Sequence, residues 1–298
     1  MGEVSDISWT DATHNEWIGC TKVSPGCANC YAETLMDTRY HRVKWGKGQE
    51  RKLTSEANRR KPLAWDKAAA KAGKRTRVFS ASLSDWLDDE VPAIWLGDLL
   101  TTVESTPNLD WLMLTKRPQN WRSRLLAAQR AMMPRVNGFI ERWLAGDPPP
   151  NVWVGTTTED QKRADERVPR LCDIPARVRF LSMEPLLGPI DLPGDALVRP
   201  GGVDWIIVGG ESGHGARPIA PDWVRSLRDQ SKEAGVAFHF KQWGEWAPRV
   251  RMPVAGQVTA EIPTPEGVHF QLVRVGKKAA GREIDGRTWD EFPEVTHG

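Results

Sequence analysis

The chain lacks the features that mark export or membrane insertion. Its first residues, MGEVSDISW, contain no basic region followed by an apolar run, and nowhere do eighteen apolar residues follow one another. Cysteine and tyrosine are scarce, with four and two residues among 298. We therefore expect a cytoplasmic protein that buries an apolar core without disulfide bonds.

Three of the four cysteines nevertheless lie in one short segment, GCTKVSPGCANCYAE, which runs from Gly19 to Glu33. Cys20, Cys27 and Cys30 have the spacing C-x6-C-x2-C. In a reducing compartment, such a cluster more often holds a metal or does chemistry than forms a disulfide. Three thiolates that converge on one point indicate a soft metal ion or an iron–sulfur cluster.

The presence or absence of a fourth protein ligand distinguishes a structural zinc site from an iron–sulfur cluster with one open iron. A structural zinc site needs four ligands, and the chain has no second C-x2-C and no H-x3-H. His14 or His41 would complete a Cys3His zinc site, so that alternative stays open. Cys172 is distant and is expected to be a small buried residue. Three cysteines without an obvious fourth ligand suit a four-iron cluster with one iron left open.

Six short apolar runs end abruptly in polar residues, which is typical of strands buried on both faces. A further strand is expected near Ile7 to Ile18. Segments with helix signals alternate with these runs, and the last of them has Pro221 near its start and Gly235 at the C′ position. This alternation predicts an α/β fold with a full or partial parallel β/α barrel, or a doubly wound sheet as the alternative. The runs are RVFSASLSD, DWLMLTKRP, NVWVGTTTED, VRFLSMEP, DWIIVGGES and VAFHFKQWG.

Basic charge is concentrated between Arg39 and Arg77. This segment has fourteen basic and three acidic residues, a net charge of +11 that leaves −9 for the rest of a chain whose total is +2. Basic side chains suit phosphate contacts, and the interleaved Tyr40, His41, Trp45 and Trp65 suit base stacking, which favours a nucleic acid or nucleotide partner. A solvated helical excursion is the alternative. Salt-dependent binding that weakens when Arg59, Arg60 and Lys61 are neutralised would test the first interpretation.

A cysteine loop after the first strand of a β/α barrel resembles the radical S-adenosylmethionine superfamily. Two departures from its usual pattern are a longer first gap, since C-x3-C-x2-C is common there, and Asn29 at a position that is often aromatic. The chain more closely resembles the phage-associated three-cysteine-motif proteins, which are grouped with radical enzymes. The blocks that carry this resemblance are WTDATHNEWIGCTKVSPGCANCYAE, VFSASLSDWLDDEVP, LDWLMLTKRP, NVWVGTTTEDQKRADERVP, RFLSMEPLLGPIDL, DWIIVGGESGHGARPIAPDWV, FHFKQWGEWAP and GRTWDEFP.

The resemblance implies a radical S-adenosylmethionine enzyme. Cys20, Cys27 and Cys30 would hold a [4Fe-4S] cluster whose open iron chelates the amino acid end of S-adenosyl-L-methionine. An electron from an external donor would then lead to a 5′-deoxyadenosyl radical and hydrogen abstraction. Because the active site of a β/α barrel lies at the carboxyl ends of its strands, the cofactor is expected to contact polar residues there. These candidates are Tyr31, Ser82, Thr156, Ser182, Glu184, Gly209, Gly210, Glu211 and Ser212.

Cationic residues at the same strand ends are candidates for substrate contact and catalysis. They are Lys116, Arg117 and Lys241, unless each forms a salt bridge with a nearby acid. The expected reaction is modification or repair of a nucleic acid base or nucleotide. A non-catalytic, zinc-stabilised nucleic-acid-binding protein is the alternative function. The expected division is a barrel over residues 1–248 with a basic insertion at about 39–77, followed by a C-terminal extension over 249–298.

Overall fold

The computed structural model describes residues 5–132, 138–198, 200–248, 258–263 and 269–295. The described chain divides into two compact units. Unit 1 holds the residues up to Thr156 together with Pro169–Phe180, and unit 2 holds Thr157–Val168 and the residues from Leu181 to Glu294. No helix in these ranges is both long enough and apolar enough to span a membrane.

Strands and helices alternate along most of the described chain. The strands are β1 (Ala12–His14), β2 (Trp17–Ile18), β3 (Lys52–Leu53), β4 (Thr76–Ser80), β5 (Leu109–Thr115), β6 (Val152–Thr157), β7 (Val178–Met183), β8 (Trp205–Gly209), β9 (Ala237–Gln242), β10 (Trp246–Pro248), β11 (Thr259–Pro263), β12 (His269–Arg274), β13 (Glu283–Ile284) and β14 (Arg287–Thr288). The α-helices are α1 (Tyr31–Glu33), α2 (Glu56–Arg59), α3 (Lys61–Ala72), α4 (Ala93–Glu104), α5 (Trp121–Met132), α6 (Gly138–Leu144), α7 (Gln161–Cys172), α8 (Gly194–Val198), α9 (Pro221–Glu233) and α10 (Lys277–Ala280).

The largest sheet has seven strands in the order β1-β4-β5-β6-β7-β8-β9. The pairs β1–β4, β4–β5, β5–β6 and β8–β9 are parallel. All six predicted strands are confirmed, as is the additional strand near Ile7 to Ile18. The strands follow the order of the chain without the reversal that a doubly wound sheet contains, so the alternative topology is wrong.

Burial explains why these runs form strands. Every residue of β6 and β7 is buried, as expected for parallel strands covered on both faces. Gly155 in β6 is required by packing, because a Cβ atom there would lie 2.3 Å from the ring of Phe180. The sheet therefore forms the centre of an α/β fold.

The ends of α9 agree with the sequence pattern. Pro221 occupies the first turn, where the absence of its N–H costs no hydrogen bond. Gly235 follows the helix with a φ of +69°, a left-handed conformation that glycine adopts without strain. Val224 and Leu227 are buried on one face of the helix. The predicted helix is confirmed.

The basic segment lies between the cysteine loop and β4. A π-helical turn, Thr34–Arg39, continues from α1 and leads into it. The segment contains β3, which pairs with β2 in an antiparallel ladder, and then α2 and α3. It is thus partly helical, as the solvated-excursion interpretation expects, and it also contains a strand.

The chain after β9 departs from the alternation of strands and helices. A three-stranded antiparallel sheet has the order β10-β12-β11, and β13 and β14 form a hairpin. Asp285 and Gly286 at its turn have φ values of +53° and +77°, which suit a tight two-residue hairpin turn. The expected division at residue 249 stays a prediction, and 249–257 lie outside the described residues.

Candidate functional site at the strand ends

A buried carboxylate organises the strand ends of unit 1. Asp85, which follows β4, accepts a hydrogen bond from Thr115 Oγ1 at 2.7 Å and from the Lys116 backbone N–H at 2.9 Å. Arg117 Nη1 donates to Asp85 Oδ2 at 2.8 Å, and both side chains are 6% exposed. Arg117 therefore forms the salt bridge that was the alternative to substrate contact.

The same guanidinium group contacts the first cysteine of the loop. Arg117 Nη1 donates to Cys20 Sγ at 3.6 Å, and Nη2 donates to the carbonyl oxygen of Thr21 at 2.9 Å. Burial, followed by the charge of Asp85, raises the pKa of the Cys20 thiol to about 12, and Arg117 acts in the opposite direction. Cys20 is thus held at the carboxyl ends of β4 and β5 in contact with a fixed positive charge.

A second buried arginine supports the loop from the basic segment. Arg51 and Asp88 form an ion pair at 2.9 Å, with both side chains fully buried. Arg51 Nη2 also donates to Thr21 Oγ1 at 2.7 Å. Asp88 lies 4.0 Å from Arg117 Nη2, so the two arginines are linked through one carboxylate. In the sequence, Arg51 was only one of the fourteen basic residues of this segment, and its pattern did not indicate the network.

Cys27 is the last residue of a 3-10 turn, Pro25–Cys27, and Cys30 immediately precedes α1. Cys27 and Cys30 are partly buried, and neither is in a disulfide. Burial raises the pKa of the Cys30 thiol, while hydrogen bonds from the backbone near Glu33 and the charge of Lys116 oppose that shift. Lys116 thus acts electrostatically on Cys30, as Arg117 does on Cys20.

Within the part of the chain that the structure describes, no three His, Cys, Asp or Glu side chains are gathered in a way that holds a metal ion. His14, one candidate for a fourth zinc ligand, lies 3.3 Å from Glu16 through Nε2 and edge-on to Trp111. His41 is exposed, with a φ of +50°. The structure thus places three free thiols on one loop without closing a ligand set around them.

The cysteine loop offers the donor type that an iron–sulfur cluster takes, but the described residues do not gather its three thiols into a ligand set. Three thiols on a partly buried loop supply the sulfur ligands, and positively charged side chains act on two of them. N–H donors to ligand sulfur and nearby cations stabilise the negative charge that such a cluster carries. The assignment of Cys20, Cys27 and Cys30 as ligands of such a group stays a prediction.

The remaining predicted cofactor contacts of unit 1 differ in how exposed their side chains are and in the hydrogen bonds that they form. Tyr31 is 55% exposed, and its hydroxyl group donates to the Ser82 carbonyl oxygen at 2.5 Å. Ser82 Oγ accepts from Asn15 Nδ2 at 2.8 Å. Thr156 is fully buried, and its hydroxyl group donates to the carbonyl oxygen of Thr115 at 2.9 Å. Tyr31 and Ser82 are accessible to a ligand, whereas Thr156 joins neighbouring strands.

In unit 2, Glu184 and Lys241 form an ion pair near the ends of β7 and β9, and one carboxylate oxygen of this pair has no hydrogen-bond partner among the described residues. Lys241 Nζ donates to Glu184 Oε2 at 2.9 Å. Glu184 Oε1 is buried and has no hydrogen-bond partner among the described residues. A Cβ atom on Gly209 would lie 3.2 Å from this oxygen, so the glycine keeps the carboxylate uncrowded. Glu184 can therefore accept a hydrogen bond from a bound molecule.

The turn after β8 is tightly built. Glu211 accepts hydrogen bonds from Arg217 N, Nε and Nη2 at 2.9, 2.8 and 2.6 Å. This interaction with Glu211 raises the pKa of Arg217. A Cβ atom on Gly210 would lie 2.0 Å from the Trp243 carbonyl oxygen, so only glycine fits there. The turn is a rigid part of unit 2.

The two serines predicted beside that turn lie in different surroundings. Ser182 is buried in β7, and its carbonyl oxygen accepts from Thr158 N at 3.1 Å. Ser212 is exposed. A buried pair that the sequence analysis did not identify, Glu159 with Arg167 at 2.9 Å, lies in the same unit. Ser212 is therefore the more accessible of the two serines.

Comparison with known proteins gives one family. A family model described as "Protein of unknown function (DUF5131)" matches residues 4–293. The chain belongs to this family. No curated protein and no solved structure matches the chain. Since the family description states no activity, the resemblance to phage-associated three-cysteine-motif proteins and to radical enzymes stays a prediction.

Proposed function

We propose that the protein is an iron–sulfur enzyme of the radical S-adenosylmethionine type, in which Cys20, Cys27 and Cys30 hold a [4Fe-4S] cluster. The observation that carries the proposal is the cysteine loop at the ends of β4 and β5, where Arg117 contacts Cys20 Sγ at 3.6 Å. A cluster held by these three residues would supply one-electron reduction of bound S-adenosylmethionine, the chemistry by which radical enzymes start hydrogen abstraction.

The residues of unit 1 have positioning roles in this proposal. Asp85 fixes Arg117, and Arg117 holds the Cys20 and Thr21 part of the loop. We therefore assign Arg117 to support of the cysteine loop and keep Lys116 as a proposed substrate contact. Tyr31 and Ser82 remain proposed cofactor contacts, because Ser82 follows β4 and the Tyr31 hydroxyl group donates to its carbonyl oxygen.

The residues of unit 2 supply polar ligand contacts. Glu184 Oε1 accepts a hydrogen bond from an ammonium or hydroxyl group, and Lys241 donates to an anionic group. Ser182, Gly209, Gly210, Glu211 and Ser212 remain proposed cofactor contacts. The proposed substrate is a nucleic acid base or a nucleotide, because the basic segment of unit 1 adjoins the cysteine loop.

Anaerobic turnover tests this function. The purified protein, reduced with dithionite in the presence of S-adenosylmethionine, is expected to release 5′-deoxyadenosine that mass spectrometry detects. Cys172→Ser serves as the matched control and should retain this activity, because Cys172 ends α7 and lies outside the cysteine loop. Cys20→Ser should abolish it. A colourless protein with about one zinc per chain and no product would contradict the proposal and favour a zinc-stabilised nucleic-acid-binding protein.

A further inference from the structure

The basic segment contains two sets of side chains with different roles. Six of its fourteen basic residues form ion pairs with acids: Lys44, Arg51, Arg59, Arg60, Arg75 and Arg77. Eight form no ion pair with any residue that the structure describes: Arg39, Arg42, Lys47, Lys52, Lys61, Lys67, Lys71 and Lys74. Of the three residues named above for the binding test, Arg59 and Arg60 belong to the first set and Lys61 belongs to the second. The charge without an ion-pair partner lies in the second set.

An exposed tyrosine, Tyr40, lies between two arginines of the second set, Arg39 and Arg42. Tyr40 is 49% exposed. The guanidinium carbons of Arg39 and Arg42 lie 5.5 and 5.6 Å from the centroid of its ring, within the range of a cation–π interaction. Both arginines are themselves exposed. We call these three residues the Tyr40 platform.

The platform lies on a turn with fixed backbone geometry. His41 has a φ of +50°, which is unusual for a residue other than glycine. Below the turn, Met36 and Val43 are buried in an apolar cluster. Four backbone N–H groups of the turn donate to fixed acceptors, namely Tyr40 to Leu35 O at 3.1 Å, Arg42 to Met36 O at 2.8 Å, Trp45 to Asp37 Oδ2 at 2.8 Å and Gly46 to Cys20 O at 3.0 Å. The exposed ring is thus presented by an ordered support that is bonded to the cysteine loop.

We propose that the Tyr40 platform docks single-stranded nucleic acid. The ring of Tyr40 provides a stacking surface for an unpaired base, and Arg39 and Arg42 provide donors for the adjacent phosphates. A duplex buries its base faces in its own stack, so the platform should prefer a single strand. The inference rests on the substrate class of the proposed function and does not depend on its cofactor.

Fluorescence polarisation with a labelled thymidine oligonucleotide tests the docking. Tyr40→Ala should weaken binding about tenfold, because stacking of one base on an aromatic residue is lost. The double variant Arg39→Gln/Arg42→Gln should lower the slope of log Kd against log salt concentration by about 1.4, the value for two phosphate contacts on a single strand. A duplex of the same length should bind more weakly than the single strand.

A matched control separates the platform from general basic charge. Lys67→Gln/Lys71→Gln removes the same charge from two exposed positions on α3 and should leave binding within twofold of the wild type. All these variants change exposed side chains, and circular dichroism checks that they fold. The inference is wrong if Tyr40→Ala binds within twofold of the wild type, if the α3 variant weakens binding as much as the arginine variant, or if the duplex binds as tightly.

The experiment also distinguishes docking from the proposed cofactor chemistry. It is run on protein with and without bound iron, and the iron content is measured in parallel. A Tyr40 effect in protein that never binds iron would support the platform and contradict the cofactor. Iron binding by the protein, together with unchanged oligonucleotide binding by Tyr40→Ala, would support the cofactor and contradict the platform.

Discussion

The strand ends of unit 1 and unit 2 differ in how deeply their charges are buried. In unit 1 the Arg51–Asp88 side chains are fully buried and the Arg117–Asp85 side chains are 6% exposed. In unit 2 the Lys241 and Glu184 side chains are 22% and 14% exposed. A buried pair fixes positions because neither partner has water as an alternative, whereas a partly exposed pair can accept a ligand. We infer that unit 1 holds the loop in place and that unit 2 offers contacts.

The largest expected effect comes from removing the central carboxylate of unit 1. Asp85→Ala leaves Arg117 buried without its main counter-charge, and we expect the free energy of unfolding to fall by about 3–5 kcal/mol. Urea denaturation measures it. Asp89→Ala, at an exposed position, is the matched control and should change stability by under about 0.5 kcal/mol.

A double variant sharpens this first prediction. Asp85→Asn/Arg117→Met keeps an acceptor for the Thr115 hydroxyl group and removes both charges, so it should recover much of the lost stability. Equal stability of the Asp85→Ala and Asp89→Ala proteins would show that the charges of unit 1 are not held as described.

An intermediate effect is expected at the turn after β8 in unit 2. Arg217→Met removes two side-chain hydrogen bonds to Glu211 but retains the backbone one, so we expect a loss of about 1–2 kcal/mol on urea denaturation. Solvent around Arg217, whose side chain is 33% exposed, keeps this loss below that of Asp85→Ala. Lys278→Met, at an exposed position of the same unit, is the control. A loss of stability larger than that of Asp85→Ala would contradict the conclusion that the charged pair of unit 1 stabilises the fold more than that of unit 2.

The smallest effect is expected at the exposed ion pairs of Asp285, and it depends on pH. Hydrogen bonds from Arg225 and Arg228 lower the pKa of Asp285 to about 2 from 3.8. Its contribution to stability is therefore present above about pH 4 and is lost as the pH falls towards 2. Asp285→Asn should be less stable than the wild type by under about 1 kcal/mol at pH 6, and most of this difference should be lost at pH 2.

The choice of asparagine isolates the charge in that comparison. Asparagine tolerates the left-handed conformation of this turn position, where φ is +53°, so the hairpin should be retained. Thermal unfolding of both proteins between pH 2 and 6 measures the difference. A difference that does not change with pH would show that the side-chain charge of Asp285 plays no part.

The sequence predicted the fold well because apolar runs that are buried on both faces leave a continuous local pattern. The predicted strands RVFSASLSD and DWLMLTKRP overlap all but the first residue of β4 and of β5. The polar residues after these strands also indicated where the candidate site would lie. Among them, Asp85 and Arg117 do lie together in the structure, at the ends of β4 and β5.

The roles of individual site residues depend on partners far apart in the chain, and these could not be read from local pattern. Arg51 was one basic residue among fourteen, yet it pairs with Asp88, 37 positions away. Arg117 looked like a substrate contact, but its donors are directed at Asp85, Cys20 and the Thr21 carbonyl oxygen. The acidic run SDWLDDE after β4 was the available signal for such partners. Nothing in the sequence indicated which cation each carboxylate would bind.

The most direct test of the central claim is the metal and sulfide content of the anaerobically purified protein, combined with electron paramagnetic resonance of its reduced form. We expect about four irons and four acid-labile sulfides per chain, and a paramagnetic signal that changes when S-adenosylmethionine is added. The variant with Cys20, Cys27 and Cys30 replaced by serine should lack the iron, the sulfide and the signal. Iron that is retained in this variant, or zinc in place of iron in the wild type, would contradict the account.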